Sequence, residues 1–301
     1  MLALGAIWRY LVSMETFWPA ILSLAAAAMW GLGNHVQRIA LDDTDPLTGA
    51  FVSVATMAGL CWIAAPFLVD ASWWWTRSTL IFAIMGIFFP ALGQRFQIAS
   101  VGLVGPSLTA SLSAFTPVIA VSIGVLFLGE EVGAQSLVGL ALMVAGLALA
   151  TWSPRGIKRG WPIWAILVPL SAALVRGISQ PGLKWGMEGV PSPFFALLVT
   201  GTMSTLVLGL MLWPRHRQGR TRTGAGLRWF VANGVINGAG IFALNAALSL
   251  GALTLVSPLS GTVPLWALAF GAIIFRRETL GLKHLAIALC VVIGGALILT
   301  R

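Results

Sequence analysis

This sequence is poor in charge. Only 9% of its 301 residues are Asp, Glu, Lys or Arg, while 58% are hydrophobic and the mean hydropathy is +0.93. A soluble domain carries about 25% charged residues. Too little polar surface exists to cover a globule in water, so most of the chain must face lipid. Acids are the scarcer sign, half as many as Lys and Arg. Glu15, Asp42, Asp43, Asp45, Asp70, Glu130, Glu131, Glu188 and Glu278 are the full set, and each falls in a tail, a loop or a span boundary. A proton-coupled pump commonly uses a carboxylate buried at mid-membrane, where desolvation raises its pKa into a useful range. None is present, which favours facilitated diffusion or exchange. His35 is the other candidate titrating group within a span, and a hydrogen-bonded structural role competes there with a role in a site.

Other absences exclude whole classes of function. Cys61 and Cys290 both sit inside apolar runs and read as small core residues, not as a disulfide or metal ligands. There is no GxxxxGK[ST], HExxH or GxSxG pattern and no Cys/His cluster, so the reading is of no enzyme, no cofactor, no metal and no ATP-driven step in this chain. Gly238-x-Gly240-x-x-Ala243 mimics a dinucleotide fingerprint but lies in an apolar span with no preceding strand. The net charge of +9 is confined to short segments. It reads as a topology signal, with a lipid bilayer and not nucleic acid as the partner.

What is present is hydrophobic length, repeated. Turn and charge breaks divide the chain into ten candidate spans of about 17–25 residues. The first five are Trp18–Ala40, Pro46–Val69, Thr79–Ala99, Gly102–Leu128 and Gln135–Trp152; the second five are Trp161–Met187, Pro193–Trp213, Leu227–Leu248, Ala252–Phe275 and Lys283–Leu299. The first fifteen residues, broken by Arg9 and lacking a signal-peptide cleavage site, read as a tail or interfacial helix. LSAFTPVIAVSIGVLFLGEE (Leu112–Glu131) superposes without a gap on LSGTVPLWALAFGAIIFRRE (Leu259–Glu278), aligning Pro117 with Pro264, Gly124 with Gly271 and Glu131 with Glu278. Ala25–Arg38 likewise matches Ser171–Lys184, which sets Trp30 against Arg176, Asn34 against Gln180 and Arg38 against Lys184.

The expected architecture is an all-α membrane protein of ten transmembrane helices: a tail 1–17, a first five-helix repeat 18–152, a linker 153–160 and a second repeat 161–301. Five is odd, so the second repeat must enter the membrane from the opposite face, and the repeats are inverted around a central cavity. Thirteen Lys and Arg flank the odd-numbered connections, against four (Arg9, Arg77, Lys184, Arg301) on the other face. The positive-inside rule then places the odd-numbered loops in the cytoplasm and both termini outside.

Arg176 is the most informative single residue. It lies near the middle of the sixth span, where an Arg costs roughly 2.5–3.5 kcal/mol on insertion scales. No buried acid is available to neutralise it. Either helix carbonyls and water solvate it, or its guanidinium faces a central cavity and attracts an anionic group such as a carboxylate. Trp30 and Asn34 share a face of the first span, as Arg176 and Gln180 do of the sixth. Pro90, Gln94 and Gln97 share a face of the third, Asn233 and Asn237 of the eighth, and Ser257, Ser260 and Trp266 mark the ninth. Each amide must hydrogen-bond either a neighbouring helix or a substrate. Together, at matching depth in both halves, they suggest a polar midplane site. Trp8, Trp18, Trp73–Trp75, Trp152, Trp161, Trp213 and Trp229 sit near span ends and read as an interfacial belt. Gly139, Gly146, Gly294 and Gly295 read as close helix contacts.

The Trp30-Gly31 pair, Pro117…Gly129-Glu130-Glu131 and the Pro264…Glu278 copy resemble the drug/metabolite transporter superfamily in its ten-span EamA-type branch. The resemblance runs from Trp18 to Leu299 and is nearest to YddG-type exporters of aromatic and other neutral amino acids. It implies a basket of ten helices in which spans three, four, eight and nine, with one and six, line a central cavity. Two departures stand out: Arg176 replaces a Trp-like residue, and Arg276-Arg277 replace Leu-Gly before Glu278. The family also commonly keeps both termini cytoplasmic, opposite to the charge count.

The resulting expectation is a monomeric, multi-pass protein of the bacterial inner membrane that exports or facilitates aromatic and large neutral amino acids by alternating access. Its expected substrate-binding residues are Trp30, Asn34, His35, Gln94, Gln97, Arg176, Gln180, Asn233, Asn237, Ser260 and Trp266. The alternatives are a carrier of phosphorylated or nucleotide sugars, for which one buried Arg supplies little charge, and a lipid flippase.

Overall fold

The computed structural model describes residues 2–104, 106–151, 160–219, 221, 223–274 and 282–299. Among them every regular element is a helix. The punctuation seen in the sequence sets the ends. Asp45 accepts hydrogen bonds from the Thr48 N–H at 3.0 Å and its hydroxyl at 2.8 Å, and Pro46, with no N–H to satisfy, opens α2 (Pro46–Leu68). Ser192 and Pro193 start α9 (Pro193–Arg217) in the same way, with the Phe195 N–H donating to the Ser192 Oγ at 3.2 Å. Gly129, at φ 66°, ends α6 (Thr116–Leu128) in the left-handed conformation that suits glycine.

The remaining helices are α1 (Leu2–Ala40), α3 (Arg77–Gly86), α4 (Gly93–Val104), α5 (Pro106–Ser113), α7 (Ala134–Thr151), α8 (Leu167–Gly189), α10 (Leu227–Leu250), α11 (Leu253–Ser260), α12 (Val263–Ile273) and α13 (Leu282–Leu299). α1 runs unbroken through the segment read as a tail. Three apolar runs that hydropathy treats as continuous are interrupted. A π-type turn, Ile87–Leu92, joins α3 to α4, and within it Phe89 is extended (φ −138°, ψ 129°) just before Pro90. Ala114–Phe115 divides α5 from α6, and Gly261–Thr262 divides α11 from α12. The aligned prolines Pro117 and Pro264 each lie in the first turn after one of these breaks, where a missing N–H costs nothing.

Among the described residues, six helical stretches are long and apolar enough to cross a bilayer: Thr16–Ala40, Pro46–Leu68, Ile163–Gly189, Pro193–Arg217, Leu227–Leu250 and Leu253–Ile273. Arg77–Leu92, Thr116–Leu128, Ala134–Leu149 and Leu289–Leu299 are shorter apolar helices. The chain is a multi-pass membrane protein. Phe67 is 85% and Phe127 79% exposed, an arrangement that suits lipid and would be costly in water.

α1 packs on α10, α11 and α12; α8 packs on α3, α4 and α6. α2 lies against α9 and α10, α9 also against α3, and α7 against α13. The last contact depends on small residues. A Cβ at Gly139 would lie 2.6 Å from the Gly294 carbonyl oxygen, and one at Gly294 equally close to that of Gly139. Gly146 meets Cys290 and Val291, but Gly295 has only an ordinary contact with Leu259. Of the tryptophans assigned to the belt, Trp18, Trp75, Trp213 and Trp229 are exposed, whereas Trp73 and Trp74 turn inward against Phe195, with ring centroids 5.6 and 5.1 Å away. Trp152 lies outside the described residues, as does the side chain of Trp8.

Candidate functional site

Two polar clusters lie in the interior, and one aromatic ring touches both. The first surrounds a cavity of about 50 Å³ between α1, α2, the π-type turn and α10. Trp30 and Gln37 reach it from α1, Ser53 and Met57 from α2, Phe89 and Pro90 from the turn, and Asn233, Asn237 and Ile241 from α10. Asn233 is 3% exposed. Its Nδ2 donates to the Ser53 Oγ at 3.1 Å, and that hydroxyl donates to the Phe230 carbonyl at 2.8 Å. The Asn233 Oδ1 accepts no hydrogen bond. An orphaned buried acceptor costs about 1–3 kcal/mol, and such costs are commonly retained at functional sites.

The second cluster is on α8. Arg176 and Gln180, one turn apart, share a face. The Arg176 Nε finds no acceptor and the Gln180 Oε1 no donor. The guanidinium Cζ lies 5.8 Å from the centroid of the Phe89 ring, within cation–π range. Gly93, one turn after Phe89, makes room for both: a Cβ there would be 3.1 Å from the Phe89 ring and 3.7 Å from the Arg176 Cγ. Arg176 is not among the residues that line this small cavity, and Phe89 is in contact with both.

The other expected site residues scatter. Asn34 is exposed, on the turn of α1 between Trp30 and Gln37. His35 is buried, and its Nε2 donates to the Ala267 carbonyl at 2.7 Å, joining α1 to α12. Asn237 lines the cavity beside Asn233. Ser260 is buried in α11 and donates to the Ser257 carbonyl at 3.0 Å. Trp266 packs where α12 meets Gly31 of α1, its ring 5.9 Å from that of Phe270. Gln94 and Gln97 fall on α4, and their side chains lie outside the described residues, as does Glu278. Sequence reading missed Gln37, Ser53 and Phe89. Gln37 was findable, being seven residues from Trp30 and therefore on its face. Ser53 was not, because α2 has no polar stripe to mark a face.

A third polar cluster lies toward one end of the bundle. The Lys184 Nζ donates to the Glu130 Oε1 and to the Gly251 carbonyl, each at 2.8 Å. Glu130 also accepts from the first amides of α11, Leu253 N–H at 2.6 Å and Thr254 N–H at 2.8 Å. Burial opposes ionisation of this carboxyl, but Lys184 and the two amides outweigh it and hold the pKa below the usual carboxylate value. At the opposite end, the Gly226 N–H donates to the Asp43 Oδ1 at 2.8 Å, and Arg215 lies 3.7 Å from Asp45. No three His, Cys, Asp or Glu side chains gather into a metal site among the described residues.

The sequence profile of the EamA-like transporter family matches the chain twice, over residues 17–152 and again over 163–300. No curated protein matches it. Among 29 matching chains of solved structures, one crystal structure aligns with a TM-score of 0.75 at 16% identity, covering 93% of this chain and 95% of its own. That likeness establishes the fold and nothing about substrate.

Proposed function

The chain belongs to the EamA-like transporter family, whose members move small molecules across the bilayer and are not enzymes, and on that premise we propose that it carries amino acids, aromatic or large neutral ones, by alternating access between two inverted five-helix repeats. The observation that carries the substrate class is the pair on α8. Arg176 offers an unsatisfied N–H donor and Gln180, one turn away, an unsatisfied oxygen acceptor. A zwitterion supplies the complement to both, a carboxylate for the guanidinium and an ammonium for the amide oxygen. An amine drug complements only the second. A sugar phosphate complements the first but calls for more positive charge than one Arg.

Several features support the inverted repeat. The family profile matches twice, and among the described residues the long and short apolar helices together number ten. The packing is mirrored: α1 on α10 and on α11–α12 has its counterpart in α8 on α3–α4 and on α6, and α2 on α10 in α9 on α3. The cavity lies toward the end carrying the Lys- and Arg-rich connections, so the positive-inside rule makes it open toward the cytoplasm of a bacterial inner-membrane carrier. The Lys184–Glu130 cluster then lies toward the outer end. A cavity of about 50 Å³ cannot hold an amino acid, since ligand pockets run to about 300–1,000 Å³. Uptake through this cavity therefore requires the halves to rock apart.

The test is uptake into liposomes holding the purified protein, across a panel of amino acids, with Arg176→Ala beside the parent. Uptake of one or more large neutral amino acids that the substitution removes is the expected result. Uptake of these amino acids unchanged by the substitution would overturn the anchor, and no uptake of any would overturn the substrate class. A pH gradient should leave the rate unaltered, and a cysteine at Gln218 should label only from the cytoplasmic side.

A further inference from the structure

We propose that Phe89 is a movable partition between the amide-lined cavity and the Arg176–Gln180 pair, and that it sets which side chains pass. The inference rests on the carrier reading above for what crosses the partition, but not for the partition itself. Phe89 lines the cavity, and its ring also lies against the Arg176 guanidinium. Among the described residues Arg176 has no ionic partner, and an aromatic face lies over its guanidinium. A solute reaching the guanidinium from the cavity has to displace that ring.

The backbone is built to allow the movement. Phe89 is the one extended residue inside an otherwise helical run, and Pro90 has no N–H to return to the ladder. Side chains on a regular helix are held by the turn before them, whereas Phe89 is freed from that constraint. Gly93 lies directly beneath the ring, with no side chain to block its motion. When a carboxylate binds, charge-assisted hydrogen bonds replace the weaker cation–π contact, and the ring is released as the anion is captured. An aromatic or large aliphatic substrate can then pack against the displaced ring. A small polar one gains no such contact, which makes Phe89 a selectivity residue.

Cysteine accessibility tests this without any knowledge of substrate. With Cys61 and Cys290 replaced by Ala, Gln180→Cys is exposed to the anionic thiol reagent sulfonatoethyl methanethiosulfonate, with Gln37→Cys as a cavity-side control. A closed partition open in about 0.1–10% of molecules makes position 180 react slowly, so Phe89→Ala should speed it about tenfold or more. Position 37 should react at the same rate in both backgrounds. If Phe89→Ala does not give monodisperse protein, Phe89→Leu is used and should give a smaller acceleration in the same direction. Equal rates at position 180 with and without the ring would overturn the proposal. If the labelling behaves as expected but the parent takes up no amino acid in liposomes, the partition stands and the substrate class falls.

Discussion

Glu130 and Lys184 meet at 2.8 Å across the boundary between the two halves of the chain, one in the turn after α6 and the other late in α8. The contact involves more than an ion pair. The carboxylate also receives the N-terminal amides of α11, so that one side chain neutralises an ammonium and caps a helix dipole. Removing it strands several groups at once. Glu130→Gln should therefore lower stability by about 2–3 kcal/mol, with Lys184→Met costing less because the amides keep their acceptor. Thermal melting in detergent checks both the size and the order of the effects.

The same carboxylate gives a pH dependence whose sign is fixed. Its pKa is held below the ordinary value of 4.5, so the unfolded chain takes up the proton first as pH falls. The stabilisation is fully present above about 4.5 and fades as pH drops through the lower folded value. The melting temperature of the parent should fall on acidification below that point, and Glu130→Gln should show a shallower decline. Parallel curves for the two proteins would assign the acid sensitivity to other groups.

Helix ends were legible because each is written locally, in Asp45-Pro46, Ser192-Pro193 and Gly129. The site was only partly legible, because which face of a helix turns inward is a property of its neighbours. His35 is an example: its partner is a carbonyl at Ala267, far along the chain, and nothing in α1 announces it. Lys184 counted in the sequence as a loop-side charge, yet it is tied to the turn after α6 and to the C-terminal end of α10. Arg176 was recognisable from the cost of its position. Its cover was not, because Phe89 differs in no visible way from Phe88 until the chain bends at Pro90.

Gly294 and Gly295 are adjacent and chemically identical, and the structure separates them. A methyl group at Gly294 would sit 2.6 Å from a backbone oxygen of α7 and 2.7 Å from the Met143 Cγ, whereas at Gly295 the nearest atom is 3.6 Å away. Backbone cannot yield as a side-chain tip can, so Gly294→Ala forces α7 and α13 apart. It should cost about 1–3 kcal/mol, the range for overpacking a filled interior. Gly295→Ala should be close to neutral in the same melting experiment. Equal losses at the two positions would mean that the α7–α13 contact is looser than its geometry indicates.

Arg176 should cost stability in order to supply function, and the two can be measured apart. An Arg at mid-span costs roughly 2.5–3.5 kcal/mol on insertion scales, and here Nε has no hydrogen-bond partner and, among the described residues, no acid pairs with the side chain. Met has nearly the same length and no charge to desolvate. Arg176→Met is therefore expected to melt at or above the temperature of the parent while losing uptake of every accepted amino acid. Arg176→Lys keeps the charge but not the planar fork, so it should retain a fraction of uptake with weaker apparent affinity. A residue that served only to hold the helices together would show the reverse, with stability falling at Met and transport declining only in proportion to the folded fraction. Melting and liposome uptake on the same preparations distinguish the two cases.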